Sequence, residues 1–489
     1  MKRVLAFDFG ASNGRALIGE IKDGKIVYTE VHRFPNDPVS VNGKLYWDFL
    51  RLIHEIKTGI VKAKQAGGFD SVGIDTWGVD YGFLDKNGNL VNTPYHYRDE
   101  RTEGAMEKVF ALAGGKENVY SRTGIQFMRL NTLFQLYASV TEDKDAVDRA
   151  ETMLFMPDLM AYVLTGKKVA EYTVASTSQM INPYTHDWDR ELIGKIGFDV
   201  SKLPEIVPSG YVYGNIRREI CDELGIDSVP VIAVCTHDTG SAVAAVPGDM
   251  ENCCYISCGT WSLMGVQLDK PVVTDESFAE NFTNEGGYDR SVRFLKNIMG
   301  LWIIQESRRR WQKEGSDYSF AELADMAEKA ESVCYIDPDY PDFDTPGNMP
   351  ERIREFCRKT GQREPRTIGE FARCIYESLA LKYRNTLESI ERLTGKKYGA
   401  INIIGGGCKA EILCRMTADI CGVKVVAGPS EATALGNIAV QLITLGEVKD
   451  INEAKKLIAA GGDVKEYLPQ GKYKADYGKF VEIVKIAKE

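Results

Sequence analysis

Residues 230–247 read PVIAVCTHDTGSAVAAVP. Val231 to Val234 is a short apolar run of mostly branched side chains and predicts a buried strand. Thr239 and Gly240 suit a helix entry, and Ser241 to Val246 continues as an apolar helix. His237 and Asp238 therefore fall at the carboxyl end of a strand, where a helix begins. Ligands bind at such places in open α/β sheets, because loops diverge there and helix N–H groups point outward. Asp238 has two readings: a cap for the helix, or a general base facing a cleft between two halves. Its place near mid-chain, just before Pro247-Gly248-Asp249, favours the second.

The chain's opening supplies a companion. Val4 to Phe9 predicts a strand, then comes Gly10-Ala11-Ser12-Asn13-Gly14-Arg15, and Ala16 to Ile21 predicts a second strand. Asp23-Gly24 is a hairpin turn signal, followed by an alternating third strand from Lys25 to Phe34. The glycine loop thus joins antiparallel strands, which excludes a Walker P-loop with its strand-to-helix geometry and Lys-Ser/Thr ending. A tight glycine turn exposes backbone N–H groups able to hold a phosphate, with Arg15 adding charge. An ordinary hairpin is the alternative. Asp8, at the loop's entrance, is suited to holding Mg²⁺ through water. The device returns at Cys253 to Gly265, with Gly259-Thr260 between two apolar strands, and suggests a duplicated domain.

A chain of 489 residues is long for one core, so two domains of roughly 240 residues are expected. The expected division is 1–246 and 247–489. A net charge of -10 argues against nucleic acid or an acidic membrane surface as partner. It leaves room for an anionic cofactor held by local donors. No apolar run approaches the roughly 20 residues of a membrane span. Eleven cysteines show no CxxC or Cys/His metal spacing and read as reduced core side chains in a cytoplasmic protein.

Phe49 to Ala66 predicts an amphipathic helix. Ser71 to Asp75 is another strand, interrupted by Thr76-Trp77-Gly78-Val79-Asp80 and continued from Tyr81 to Leu84. Gly78 lets a ligand approach the backbone and Trp77 offers a flat apolar wall, as in a sugar site; a strand bulge is the alternative. Tyr97 to Thr102 reads as a solvated charged loop. Residues 105–180 read as mostly helical, with no chemistry beyond Thr123-Gly124-Ile125-Gln126. Asn297 to Trp302 is expected to begin a helix reaching Trp311, with Gln305 inside it. Asp337 to Pro350 reads as an acidic surface loop. Ile401 to Ile404 predicts a strand entering Gly405-Gly406-Gly407, a loose dinucleotide-binding pattern. The next strand, Val423 to Ala427, ends in Gly428-Pro429 rather than an acid, so seating an adenosine fits better than a nicotinamide cofactor.

Together and in this order, these stretches resemble the FGGY carbohydrate kinases of the actin/hexokinase/Hsp70 superfamily. The resemblance is carried by Asp75 to Asp80 (DTWGVD), Gly124 to Phe127 (GIQF), Thr236 to Thr239 (THDT) and Gly259 to Gly265 (GTWSLMG). It extends to Thr283 to Gly287 (TNEGG), Asn297 to Trp302 (NIMGLW), Gly405 to Cys408 and Ala427 to Asn437. It implies an α/β protein of two ribonuclease-H-like domains with a central cleft, a monomer or homodimer. The implied reaction transfers the ATP γ-phosphoryl group, with Mg²⁺, to the 1-hydroxyl of a ketose, L-rhamnulose, in L-rhamnose catabolism. Carried over by position, Asp238 is the base, with Gly78, His237 and Asn297 around the sugar. ATP phosphates fall at Ala11, Ser12, Asn13, Gly14, Arg15 and Thr260, with Gln305 and Gly406 on the nucleotide. Cys258 stands where serine is common, Lys409-Ala410 replaces Gln-Asn, and Asn13 takes a position often serine. Another deoxyketose such as L-fuculose is the nearest alternative substrate. A non-catalytic sugar sensor on the same fold is the alternative from another class, against which Asp8, Asp238 and both phosphate turns argue.

Overall fold

The structure, a computed structural model, describes residues 1–462 and 464–488. The chain forms two compact units. The first comprises Met1–Gly248, Gln267–Phe294 and Ala432–Gly462; the second comprises Asp249–Val266, Leu295–Glu431 and the segment after Gly462. The first segment of the first unit ends at Gly248, and two later segments return to that unit.

The first unit is built on a six-stranded sheet. Its strands are β1 (Val4–Phe9), β2 (Asn13–Lys22), β3 (Lys25–Pro35), β4 (Ser71–Thr76), β5 (Val212–Asn215) and β6 (Pro230–Ile232), in the order β5-β6-β4-β1-β2-β3. β1, β4 and β6 run parallel, while β2 and β3 fold back as an antiparallel meander. Every residue of β1 and of β4 is buried. Such a strand reads as a continuous apolar run rather than an alternation, because both faces are covered. Charged residues inside it then need a purpose, and Asp8 and Asp75 are those residues. The Asp23-Gly24 turn has positive φ at both residues, which gives the twist a two-residue hairpin needs. The helix Phe49–Gln65 buries Leu52, Ile56, Ile60 and Ala63 on one stripe.

The second unit carries most of a seven-stranded sheet. Its strands are β7 (Cys253–Cys258), β8 (Trp261–Leu268), β9 (Thr283–Gly286), β10 (Val292–Met299), β11 (Ala400–Ile404), β12 (Lys424–Ala427) and β13 (Lys465–Tyr467), in the order β9-β10-β8-β7-β11-β12-β13. β7 pairs antiparallel with β8 and parallel with β11, as β1 does with β2 and β4. The repeated glycine hairpin is therefore a repeated topology, as a duplicated domain requires. None of the eleven cysteines forms a disulfide among the described residues, and nine are buried. Among the described residues no helix is long and apolar enough to cross a membrane.

Several expectations are corrected. Asn297 lies on strand β10, and the helix spans Trp302–Lys313, because the chain turns at Gly300. Tyr81–Asp85 does not extend β4 but pairs with Ala150–Phe155 in a separate ribbon. The helix after His237 begins at Asp238 and spans Asp238–Ala244. Asp337 does not float in an exposed acidic loop: it and Asp339 hold the buried Lys382 ammonium at 2.7 and 2.8 Å. Tyr97 to Thr102 is not simply solvated either. Arg101 is buried over the Tyr95 ring and donates to Ser139 and Gln135, so its charge is spent inside.

Candidate functional site

Strand register assembles the acidic centre of the first unit. Asp8 on β1 is paired with Arg15 on β2 and with Asp75 on β4. One position on, Thr76 bridges to His237 and its N–H donates to Thr236 O at 2.9 Å. Carboxyl ends of three parallel strands thus deliver Asp8, Asp75 and Asp238.

Asp75 is fully buried; Oδ2 accepts from Asn437 Nδ2 at 2.6 Å, while Oδ1 has no hydrogen-bond partner. Burial and the nearby Asp8 carboxylate hold it well above the usual carboxylate range. Asp238 is half-buried, and burial followed by the Asp8 charge pushes its carboxyl up to about 7, against opposing hydrogen bonds from Thr239 and the Arg293 charge. Thr239 makes two hydrogen bonds to the Asp238 carboxylate, both on Oδ1, from Thr239 N at 2.5 Å and Thr239 Oγ1 at 3.1 Å. The helix-capping alternative requires an amide two or three residues on, and Asp238 is instead the first helical residue with His237 at the cap position.

The turn between β1 and β2 is tight. Gly10 N donates to Asn13 O at 2.9 Å, and Asn36 ties the loop through Ser12 O and Gly10 O. Ser12 and Asn13 are exposed, Ala11 is half-buried, and Gly14 leaves room for the Phe34 ring, which a Cβ there would meet at 2.3 Å. Arg15 turns its guanidinium onto Asp8 Oδ2 at 2.5 Å.

At the end of β4 the structure replaces the expected wall with a buried anion hub. Trp77 is only 6% exposed, lies 3.9 Å from Trp47 between ring centroids, and donates its indole N–H to Asp80 at 3.0 Å. Asp80 also accepts from Trp47 Nε1, Tyr97 N and Gln135 Nε2, and burial still pushes it up to about 6. Gly78, half-buried, sits where a Cβ would meet Thr177 at 2.9 Å. The next residue, Val79, has φ +67°, a costly conformation for a β-branched residue. It is held by hydroxyls on both sides: Val79 N donates to Thr177 Oγ1 at 3.0 Å and Val79 O accepts from Thr132 Oγ1 at 2.6 Å.

Sequence reading missed the supports of the Thr236–Asp238 turn. Glu171 is fully buried and accepts from Thr236 N and Oγ1, Thr173 N and Oγ1, and Ser209 Oγ. Arg293 Nη2 donates to His237 Nδ1 at 2.9 Å and to Glu285 Oε2 at 3.1 Å. An arginine isolated in the apolar strand run 292–299 was the readable signal for the second; nothing local marked the first.

In the second unit, the Gly259-Thr260 turn is bolted to a helix start. Gly300 N and Trp302 N donate to Thr260 O at 3.0 and 3.2 Å, and Leu301 N donates to Gly259 O at 3.0 Å. A Cβ at Gly300 would lie 2.7 Å from the Trp261 carbonyl carbon, so glycine is required for this approach. Exposed Thr260 is thereby tied to the helix that carries half-buried Gln305 in its first turn. Exposed Gly406 follows β11, and Gly407 presses against Cys258 at the end of β7, where its Cβ would lie 2.2 Å from Sγ. Thr260 and Gly406 thus share the carboxyl ends of β7 and β11. Asn297 lies half-buried on β10, in the second unit.

Carboxylates at parallel strand ends beside a glycine turn, on a topology used twice, mark a two-domain phosphotransferase of the ribonuclease-H-like class. Sequence models of the FGGY family of carbohydrate kinases match at residues 3–245 for the N-terminal domain and 254–445 for the C-terminal domain. A rhamnulokinase of Bacteroides thetaiotaomicron is 44% identical over 467 residues, covering 95% of both chains. One from Bacillus subtilis is 40% identical, also covering 95% of each. Among solved structures, a ligand-bound xylulose kinase from Lactobacillus acidophilus superposes with a TM-score of 0.78 at 17% identity, covering 100% of this chain and 96% of that one. Plasmodium falciparum glycerol kinase with ADP gives 0.78 at 16%, covering 100% and 97%, and both likenesses speak to fold. The chain belongs to the FGGY family of carbohydrate kinases, and it is a sugar-phosphorylating enzyme.

Proposed function

We propose that the protein transfers the γ-phosphoryl group of ATP to the 1-hydroxyl of L-rhamnulose, giving L-rhamnulose 1-phosphate and ADP. The substrate follows from relatives called rhamnulokinases at 40–44% identity over nearly the whole chain. The chemistry is carried by one observation: Asp238, held near 7, has its hydrogen bonds on Oδ1 and leaves Oδ2 for a hydroxyl.

Oδ2 accepts the proton of the 1-hydroxyl as that oxygen bonds to phosphorus and the bond to the ADP oxygen breaks. The transition state is loose, so orientation of the hydroxyl matters as much as basicity. Gly78, His237 and Asn297 are assigned to the sugar. Amides of Ala11 to Arg15 and of Thr260 are assigned to the phosphates, and Gln305 and Gly406 to the nucleoside. On this reading residues 1–246 carry the phosphate loop, Asp238 and the sugar site apart from Asn297, and 247–489 carry the nucleotide site, in a cytoplasmic enzyme.

Among the described residues no cluster of three or more His, Cys, Asp or Glu is arranged to hold a metal ion. That suits Mg²⁺, which keeps most of its waters and binds through one or two carboxylates plus substrate phosphates. Asp8 fits as that carboxylate by position: it stands at the entrance of the glycine turn, its charge raises Asp75 and Asp238, and the Arg15 guanidinium already lies against it at 2.5 Å. Bound there with ATP, the ion would neutralise phosphate charge.

The test is kcat/KM across purified ketoses with ATP and Mg²⁺. L-rhamnulose should lead; a higher value for L-fuculose or D-xylulose would overturn the substrate. Asp238→Asn should lower kcat by about 10² to 10⁴-fold. An Asn variant keeping more than about a tenth of wild-type kcat removes the base assignment.

A further inference from the structure

We propose that Arg293 is a positioning residue: its guanidinium fixes the tautomer of His237, so that one N–H donor, on Nε2, is aimed at the Asp238 carboxylate. This deepens the reading of Asp238 as base and rests on it.

An arginine side chain can only donate hydrogen bonds. Arg293 Nη2 lies 2.9 Å from His237 Nδ1, so Nδ1 must present its lone pair. In a neutral imidazole the proton then resides on Nε2. Protonating the ring would set an Nδ1–H against the guanidinium N–H. Burial and the Arg293 charge together hold the His237 imidazole well below its usual range, in line with the geometry. Nε2 lies 3.4 Å from Asp238 Oδ1, the oxygen that already accepts from Thr239. A donor on that side keeps the carboxylate oriented with Oδ2 outward. The opposite tautomer is within easy reach: Glu285 Oε2 lies 3.5 Å from Nδ1 and would accept a proton there, leaving the Nε2 lone pair facing Asp238. Arg293 decides between the two.

Packing alone does not account for this arginine. Its side chain is fully buried, Nε donates to Gly286 O at 2.8 Å, and Nη1 has no hydrogen-bond partner among the described residues. A buried guanidinium with an unmade hydrogen bond costs stability that an apolar side chain would not.

The test uses the full chain labelled with ¹⁵N-histidine. There are five histidines, and His237→Gln assigns the His237 signals. Wild-type protein should show His237 as the neutral Nε2–H form at pH 7. Arg293→Met should move it to the Nδ1–H form, or a mixture, and lower kcat by about 10 to 100-fold with the KM for ATP unchanged. Arg293→Lys, which retains a donor, should restore the Nε2–H form and most of the lost kcat. A wild-type Nδ1–H or charged ring overturns the proposal, whether or not any variant folds. So does Arg293→Met with an unchanged tautomer, or with unchanged kcat. Failure of the substrate reading would appear separately, as a different preferred ketose with the tautomer intact.

Discussion

Gly436 is a point where the helix that begins at Asp238 can be displaced by one added carbon. It lies on the helix Ala432–Thr444, against the helix Asp238–Ala244, and a Cβ there would stand 1.8 Å from Ser241 O and 2.6 Å from Ser241 C. The colliding atoms are backbone, so no side chain can swing aside. Bringing the oxygen contact out to an ordinary 3.4 Å moves one helix by about 1.6 Å. Ser241 is one turn from Asp238, so the base moves with it. Overpacking of this kind costs about 1–3 kcal/mol, offset by up to about 1 kcal/mol from alanine's helix preference. A misplacement of about 1 Å at a reacting group costs about 10²-fold in rate. Gly436→Ala should therefore lose kcat far beyond what its loss of stability explains. Urea unfolding and initial rates at saturating substrates measure both. Gly194→Ala is the control: Gly194 also lies in a helix of the first unit, with nothing within 4 Å of its Cβ, and should gain about 0.4–1 kcal/mol with kcat unchanged. A Gly436→Ala enzyme with wild-type kcat would refute the argument that this contact sets the position of Asp238.

Three further outcomes follow from the site. Asp238, at about 7 when folded against 3.8 for the free group, binds its proton more tightly in the native state. Its contribution to stability is present below about 4 and lost as pH rises through about 7, so Asp238→Asn should become relatively more stable toward alkaline pH, by on the order of 1–3 kcal/mol after allowance for partial exposure. Wild-type kcat/KM should move the other way, rising with pH through about 7; a flat profile from pH 5 to 9 contradicts a base of that pKa. Asn437→Leu removes the donor to Asp75 Oδ2 and should destabilise by about 1.5–3 kcal/mol in chemical denaturation, whereas an unchanged midpoint would mean that Asp75 is neutral and needs no partner. Gly407→Ala should raise the KM for ATP by displacing the turn from Cys258, and Gly407→Ala/Cys258→Ala should recover much of it; equal effects in single and double variants would break the link between that contact and the nucleotide.

The strand–turn frame was readable because β1, β4 and β7 are unbroken apolar runs bounded by glycine and Asp-Gly turns. Asp8 and Asp238 stood out as acids at the ends of such runs, whereas Asp75 read only as the last residue of its strand. The sequence misled where side chains from distant segments decide the outcome. Trp77 looks like a wall until Asp80, two positions past Gly78, collects its indole N–H together with that of Trp47. Asn297 reads as a helix start until Gly300 is seen to need the backbone of Trp261 against it. Arg101 and Asp337 look solvated because a charged residue is legible while its buried partner is not. Glu171 falls in a stretch read as mostly helical without chemistry, and the six hydrogen bonds it accepts come from residues up to 65 positions away.

The return of residues 432–462 to the first unit has a consequence for synthesis on the ribosome. Among the described residues Asn437 supplies the one hydrogen bond to the Asp75 carboxyl group, and Gln441 reaches Leu5 O at 3.2 Å and Ser71 Oγ at 2.7 Å. Until that helix emerges, the strands carrying Asp8 and Asp75 lack the cover their buried polar groups require. The first unit therefore cannot mature as an N-terminal fragment while the rest is being translated. It is completed only when the Ala432–Thr444 helix docks against the helix that begins at Asp238.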